Sequence, residues 1–160
     1  MNRVSCPQTA ANRFHLLFEA TFFLCLAWGF VLVSYHFAGH QSVWVDETTQ
    51  LSGLRLDPSE QVTWLAGASP IDFGVPNDRM PPLSYWLGWI WSQAFGLSED
   101  AMRWFGICVV SIGLVPLGLA ARLLGTRSGA ALTLASYALS ANVITMAPEI
   151  RCYPLFLCIS

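Results

Sequence analysis

The sequence predicts an all-α protein that crosses a membrane several times. Of its 160 residues, 54% are hydrophobic and only 11% are charged, whereas soluble domains carry about 25% charged residues. Three charge-free runs, at 20–38, 104–121 and 128–148, are close to the roughly 20 residues that a helix needs to cross a bilayer. We therefore expect one polytopic membrane domain. Its predicted spans are 14–37, 101–122, 128–147 and a fourth that begins near residue 153.

The arginines decide the orientation predicted for these spans. Arg3 and Arg13 precede the first run, and Arg122 and Arg127 separate the second run from the third. Cytoplasmic loops carry the excess of Lys and Arg, so the amino terminus and this connection are predicted to be cytoplasmic. A cleaved signal peptide is the alternative for the first run, but its apolar region would be only about 7–15 residues long. We expect a retained anchor in the cell (inner) membrane.

A shorter apolar run of 15 residues starts at Leu83. As a helix it reaches about 22 Å, against a hydrocarbon core of about 30 Å. Small residues recur every four positions along it, at Ser84, Gly88 and Ser92, and form a more polar stripe that is typical of a helix lying at the membrane surface. A spanning helix here would also move the later arginines to the outer face, against the charge bias. The outer segment, about 39–100, is predicted to hold two interfacial helices, at 46–56 and 82–96.

The chain stops at Ser160, inside the fourth apolar run. A helix cut after about two turns cannot cross a bilayer. We therefore expect the amino-terminal piece of a longer protein, inactive by itself.

An acidic pair follows the first predicted span. Asp46 and Glu47 stand in the string WVDETTQL, which opens the first interfacial helix. One interpretation is structural, with Asp46 as the helix N-cap and Glu47 stabilised in the first turn by the helix dipole. The other is chemical, because spans two and three return Arg151 to the same outer surface. That surface also receives the remaining ionisable residues of the outer loops, Asp57, Glu60, Asp72, Asp78, Arg79 and Glu149.

A carboxylate beside a guanidinium at a membrane surface suits sugar transfer from a lipid phosphate. The phosphate leaves as a stable anion, which the planar donors of an arginine stabilise. The acceptor hydroxyl is a weak nucleophile, so a carboxylate must orient it and take its proton as the new bond forms. Asp46 is the predicted base, and Glu47 supports it or touches the acceptor. Arg151 is the predicted partner of the phosphate or of the acid.

Three strings together resemble a known family, the multi-spanning GT-C glycosyltransferases that use polyprenyl-phosphate sugars. The similarity is greatest to the protein O-mannosyltransferase and aminoarabinose-transferase branch. WVDETTQL resembles the acidic motif after the first span, NDRMPPLSYWLGWIWSQAFGLSEDAMRW the proline-led helix, and APEIRCYPL the motif of the second outer loop. Each string alone is a weak pattern, but they occur in the family's order. The resemblance implies the catalytic residues Asp46 and Glu47 and the substrate-binding residues Arg79, Tyr85, Glu149, Arg151 and Tyr153.

The resemblance also implies the reaction and its partners. We expect inverting transfer of a sugar from a polyprenyl-phosphate donor to a lipid, glycan or protein acceptor on the extracytoplasmic face. Met80 departs from the pattern, because relatives often carry His or Lys there, and Arg79 lies one residue earlier with its side chain turned away. A divalent cation is neither required nor excluded by acids beside a phosphate. The eight basic residues are scattered, so no nucleic-acid partner is expected.

Other interpretations stay open at this point. A non-enzymatic membrane protein or transporter subunit would use the outer acids only to solvate loops, and a family member without catalysis would keep the same motifs. His36 and His40 have the spacing of a zinc pair without an obvious third ligand, or they anchor the helix at the interface. Glu19 lies inside the first span and either has a function or reaches water or pairs with Arg13. Arg103 is expected to extend to the outer headgroups. Close helix packing is expected at Gly106, Gly113, Gly118 and Pro116.

Overall fold

The computed structural model describes residues 8–68 and 77–159, and the regular secondary structure of this part of the chain is entirely helical, without strands. Arg3 and Asp72, which the sequence interpretation used, lie outside the described residues. The helices are α1 (Gln8–Ala38), α2 (Val45–Gly53), α3 (Pro58–Leu65), α4 (Pro82–Phe95), α5 (Glu99–Leu124), α6 (Arg127–Ala138), α7 (Ala141–Met146) and α8 (Tyr153–Ile159).

Two of the described helices are long and apolar enough to cross a membrane, Arg13–Ala38 in α1 and Glu99–Leu124 in α5. They contact each other in antiparallel orientation, and the rings of Tyr35 and Trp104 stack with centroids 4.9 Å apart near one end. Most side chains along both helices face outward rather than into the protein, as expected for helices whose surroundings are themselves apolar. These two helices correspond to the first two predicted spans.

Charged layers lie at the two ends of this helix pair. At one end the Glu19 carboxylate pairs with Arg122, at 2.7 Å from Nη1, and with Arg127, at 3.3 Å from Nε. Arg103 lies near the other end of α5. Arg103 and Arg122 are 19 residues apart, about 28 Å at the helical rise of 1.5 Å per residue, and a hydrocarbon core is about 30 Å thick. Glu19 therefore has ion-pair partners, and neither is the Arg13 that the sequence interpretation considered.

The third predicted span, 128–147, is not one continuous helix. α6 ends at Ala138 and α7 begins after Ser140, whose ψ of 126° is extended and ends the α-helical path. α6 alone, with 12 residues, is about 18 Å long and too short to cross. Serine favours helix N-caps over helix interiors. A tertiary contact also holds the chain after this turn, because the Gln41 side-chain amide donates a hydrogen bond to the Thr145 carbonyl at 3.0 Å.

Glycines in α5 allow the following chain to approach closely, as the sequence predicted. A Cβ on Gly106 would collide with the backbone carbonyl of Ala147, and one on Gly113 would lie 2.8 Å from the Cα of Cys158 in α8. Gly118 faces Leu134 of α6 in the same way, at 3.1 Å. Because two of these neighbours are backbone atoms that cannot rotate away, any side chain there would push the segments apart.

Helices α2, α3 and α4 form a small layer beside the start of α5, built on the buried residues Leu54, Leu56, Trp64, Tyr85, Met102 and Ile150. The predicted helix at 82–96 is confirmed as a helix with only 14 residues. Its stripe of small residues faces this layer, where Gly88 contacts Leu54 and Met102. Ile90, on the opposite face, is 61% exposed, so the apolar row of α4 is turned away from the protein.

The N-cap interpretation of Asp46 is wrong. Trp44 is the N-cap of α2, and Glu47, at the third helical position, accepts a hydrogen bond from its backbone N–H at 3.1 Å. Asp46 lies inside the first turn with its side chain in solvent. α3 was not predicted, although Asp57 and Glu60 frame it in the same way, with the Glu60 carboxylate accepting from the Asp57 N–H at 3.1 Å.

Candidate functional site

Glu47 lies at the centre of a buried polar network. Its side chain is 3% exposed. One carboxylate oxygen accepts from the Ile150 backbone N–H at 2.8 Å, and the other accepts from the Trp44 N–H and lies 3.6 Å from Arg103. A carboxylate with both oxygens occupied has little capacity left for a substrate. The geometry therefore favours the supporting role among those the sequence left open, because Glu47 ties α2 to the loop before α8.

Arg103 is the counter-charge of this network, and the prediction that it extends to lipid headgroups is wrong. Only 2% of the residue is exposed. It pairs with Glu99 at 2.8 Å and donates to the Gln41 side-chain oxygen at 3.1 Å and to the Pro148 carbonyl at 3.2 Å. A buried guanidinium needs this many acceptors because its desolvation is costly. No sequence pattern pointed to Gln41, which lies 62 residues before Arg103.

Asp46 and Arg151 are brought together, as the topology argument predicted. Arg151 donates to the Asp46 backbone carbonyl at 3.1 Å, and its Nη2 lies 3.8 Å from the Asp46 carboxylate. The Arg151 side chain is 8% exposed and the Asp46 side chain 74% exposed. The loose 3.8 Å pair therefore sits at the boundary between protein and solvent. Arg151 Nε is buried and has no hydrogen-bond partner among the described residues.

Asp78 holds Arg151 from the other side and was missed as a site residue. Its carboxylate lies 3.2 Å from Arg151 Nη1 and accepts a 2.7 Å hydrogen bond from the Tyr85 hydroxyl. Tyr85 is fully buried, and that burial, followed by the hydrogen bond to Asp78 and its negative charge, raises the pKa of Tyr85 far above its usual range. Tyr85 is thus a fixed hydrogen-bond donor to Asp78, which in turn orients Arg151. The one sequence signal was an acid two residues before the Met-Pro-Pro of the proline-led string.

The other predicted substrate-binding residues lie around this cluster with fewer contacts. Glu149 is half-buried, and desolvation, reinforced by the charge of Glu47, raises the pKa of its carboxyl above the ordinary 4.5. Tyr153 is half-buried at the first position of α8, whereas Arg79 is exposed. Within residues 8–68 and 77–159, no ion pair to Arg79 is found. Met80 instead packs against the Cys152 sulfur, 3.3 Å away.

The site carries more acid than base. Five carboxylates surround two guanidiniums in it: Asp46, Glu47, Asp78, Glu99 and Glu149 around Arg103 and Arg151. No group of three or more His, Cys, Asp and Glu side chains is placed to hold a metal ion in the described part of the chain. His36 and His40 contact each other edge to face, with ring centroids 4.9 Å apart.

No family model, no curated protein and no solved structure matches this chain. The resemblance to GT-C glycosyltransferases therefore depends on the three strings and on what their residues do in the fold. The structure brings the first string, through Asp46, and the third, through Arg151, into contact, and it joins the second through Asp78 and Tyr85.

Proposed function

We propose that this chain belongs to an integral membrane glycosyltransferase of the GT-C type. In this proposal the protein moves a sugar from a polyprenyl-phosphate donor to an acceptor on the extracytoplasmic face, with inversion at the anomeric carbon. The observation that carries the proposal is the exposed carboxylate of Asp46 beside the buried guanidinium of Arg151. They meet at one end of two helices long and apolar enough to cross a membrane.

The distribution of charge supports the proposed orientation. Of the ten acidic residues, Glu19 lies at the Arg122 end and Asp72 is outside the described residues, so the remaining eight lie at the end that holds Arg103. On the Glu19 side, Arg13, Arg122 and Arg127 lie at the ends of the two long helices and in the short connection after α5. Arginines in short connections beside span ends favour a cytoplasmic position for that side. Asp46 and Arg151 then face the opposite compartment.

The chemistry follows from the different exposure of the two groups. The Asp46 carboxylate, open to solvent, accepts the proton of the acceptor hydroxyl as the hydroxyl oxygen bonds to the anomeric carbon. The bond between that carbon and the donor phosphate oxygen breaks on the opposite side of the sugar, which inverts its configuration. The departing polyprenyl phosphate takes the bonding electrons, and Arg151 stabilises its developing negative charge. Asp78 and Tyr85 keep the guanidinium in place during this step.

The acid excess near Arg151 would repel a phosphate if every carboxylate were ionised. The raised pKa of Glu149 reduces this repulsion, because the neutral form of its carboxyl persists to higher pH than usual. Among the described residues, this leaves Asp46 as the exposed carboxylate that lies beside Arg151. In the proposal, Asp46 therefore acts as the base, whereas Glu149, with its raised pKa, adds less negative charge near the phosphate.

The test is an Asp46→Asn variant, expressed from the complete reading frame and assayed in membranes with radiolabelled polyprenyl-phosphate sugars. Removing a general base should lower transfer by about 10²–10⁴-fold while the protein remains inserted and folded. Asp100→Asn is the matched control, because Asp100 is an exposed acid in the first turn of α5 and lies outside the cluster. Near-normal transfer by Asp46→Asn would contradict the proposal.

One observation favours the non-enzymatic alternative, in which these groups only stabilise the fold. Arg151 already has two carboxylate partners, Asp46 and Asp78, as a purely structural arginine would. That alternative predicts that no polyprenyl-phosphate sugar is consumed by the wild-type protein. It also predicts that Asp46→Asn changes stability, whereas the enzyme proposal predicts that it changes turnover.

A further inference from the structure

A cavity of about 490 Å³ lies at the end of the molecule away from the acidic cluster. It is a groove, open on one side, between α1, α5 and α6, and apolar side chains form nearly all of its wall, among them Phe23, Leu119 and Leu134. Its rim is charged, with Glu19, Arg122 and Arg127 on the three helices. The cavity thus combines an apolar interior with an ionic entrance.

The rim has an excess of positive charge. Glu19 offers one carboxylate, and its two oxygens are divided between the two guanidiniums, at 2.7 Å to Arg122 and 3.3 Å to Arg127. The arginine side chains remain 45% and 56% exposed. Each guanidinium has five N–H donors, so both retain donors after pairing with the carboxylate. The rim therefore has exposed donors that can bind a second anion.

The depth of the cavity indicates an elongated apolar ligand. Along α5 it extends from Arg122 to Val115, seven residues or about 10 Å at 1.5 Å per residue. Val115 and Leu119 lie in the charge-free stretch of α5, between the two charged layers of the helix pair. A ligand that fills this space must be apolar over about 10 Å and anionic at one end.

We propose that the cavity binds an anionic phospholipid, with the phosphate on Arg122 and Arg127 and one acyl chain between α1, α5 and α6. Basic pockets between membrane helices are known sites for anionic headgroups, and the cytoplasmic leaflet is rich in them. Another apolar helix in the same place would cover these exposed guanidiniums without offering them an acceptor, and burying an unpaired charge is costly. The phospholipid satisfies both the charge and the apolar wall.

This inference rests on the part of the proposed function that places α1 and α5 in a membrane, and on nothing at the Asp46 end. Glu19 and Arg103 are at opposite ends of the helix pair. Lipid binding and sugar transfer can therefore be measured separately on the same protein, and Asp46→Asn should leave lipid binding unchanged.

The experiment is native mass spectrometry of the full protein in detergent, titrated with phosphatidylglycerol or with phosphatidylcholine. We expect phosphatidylglycerol to bind at least tenfold more tightly. Arg122→Gln and Arg127→Gln should each remove most of that preference, because either change leaves the rim neutral. Arg55→Gln is the matched control, since Arg55 is an exposed arginine on the acidic side of the molecule.

Glu19→Gln separates lipid binding from a purely structural ion pair. If Glu19 and the arginines only clamp the helices together, Glu19→Gln should loosen the cavity and weaken any binding. If the arginines hold a phosphate, the same change frees them and should tighten phosphatidylglycerol binding several-fold. Circular dichroism on each variant checks that the helical content is retained.

Three results would overturn the inference. They are equal binding of the two lipids, an unchanged preference in both arginine variants, and weaker phosphatidylglycerol binding in Glu19→Gln. A full protein that binds neither lipid would also overturn it, because another segment or a partner would then fill the cavity. If sugar transfer persists while lipid selectivity is absent, only this inference is wrong. If lipid selectivity is present while sugar transfer is absent, only the proposed reaction is wrong.

Discussion

Asp46 and Glu47 are adjacent in the chain, yet their side chains meet opposite surroundings. Successive residues of a helix point about 100° apart, and α2 has one face on the protein. Glu47 therefore enters the interior, where two backbone N–H groups and Arg103 neutralise it. Asp46 points into solvent next to Arg151. The Glu47 carboxylate holds the loop that carries Arg151, and the Asp46 carboxylate is exposed, as the proposed reaction requires.

Glu47→Gln should lower stability, in contrast to Asp46→Asn. The amide retains one acceptor oxygen, so one of the two backbone N–H groups loses its partner, and Arg103 loses a negative charge. An unsatisfied buried polar group costs about 1–3 kcal/mol. We expect a lower midpoint of thermal unfolding for Glu47→Gln in detergent and a nearly unchanged midpoint for Asp46→Asn. Equal midpoints in the two variants would show that Glu47 does not support the loop.

Glu149 should make stability depend on pH. Its pKa is raised in the folded protein, so the folded state binds more protons than the unfolded state as pH rises above about 4.5, and stability falls through that window. Glu149→Gln removes the cost of ionising a half-buried carboxyl. The variant should melt at a higher temperature than the wild type at pH 7, and the difference should shrink towards pH 4. A difference that grows as the pH falls would contradict the assigned cause.

At the scale of elements, the path of the chain after α5 depends on small residues. Gly106→Ala would place a methyl group against the Ala147 carbonyl. Forcing extra volume into a packed contact costs about 1–3 kcal/mol, and here α5 and the turn after α7 must separate. We expect a lower unfolding midpoint and weaker sugar transfer, since Glu149 and Arg151 follow that turn. Gly29→Ala in α1, with nothing within 4 Å, is the control and should show no loss.

The helices follow from the sequence to differing degrees. The long apolar runs and the Pro-led helix α4 were predictable, because composition and the first-turn prolines determine them locally. The break at Ser140 was not, since the contact that holds the following helix joins Gln41 to Thr145, 104 residues later. α3 carried a readable signal, the Asp-Pro-x-Glu pattern of a capped helix start. In the site, the predicted topology was enough to bring Asp46 and Arg151 together. The roles of Asp78 and Gln41 depend on contacts with residues distant in the sequence, which a local pattern does not reveal.

At the scale of the whole molecule, the charge asymmetry predicts which compartment each end faces. In cells expressing a variant without native cysteines, Asp100→Cys should react with an impermeant maleimide from outside. Ser128→Cys, at the start of α6 and near the opposite end of the helix pair, should react only after permeabilisation. Ser59→Cys is the control, because it stays outside whether or not α4 spans the membrane.

Labelling of position 100 only from the cytoplasm would mean that α4 crosses the bilayer. The site residues of α2 and of the loop before α8 would then lie on opposite sides of the membrane, which their contact forbids. The labelling result therefore tests the fold as well as the topology.

The spacing of the two charged layers on α5, at Arg103 and Arg122, determines which bilayer thickness the helix pair would fit. Arg103 is buried among acceptors and Arg122 is tied to α1 through Glu19, so neither layer can slide into hydrocarbon without giving up its partners. A membrane much thicker or thinner than about 28 Å must deform or tilt the helix pair, at a cost of fractions of a kcal/mol per Å of mismatch. In the proposed membrane orientation we therefore expect the protein to prefer bilayers with a hydrocarbon core near this thickness. The same orientation would hold the acidic surface at a fixed height above the lipid core, where the proposed donor headgroup would reach it from the side.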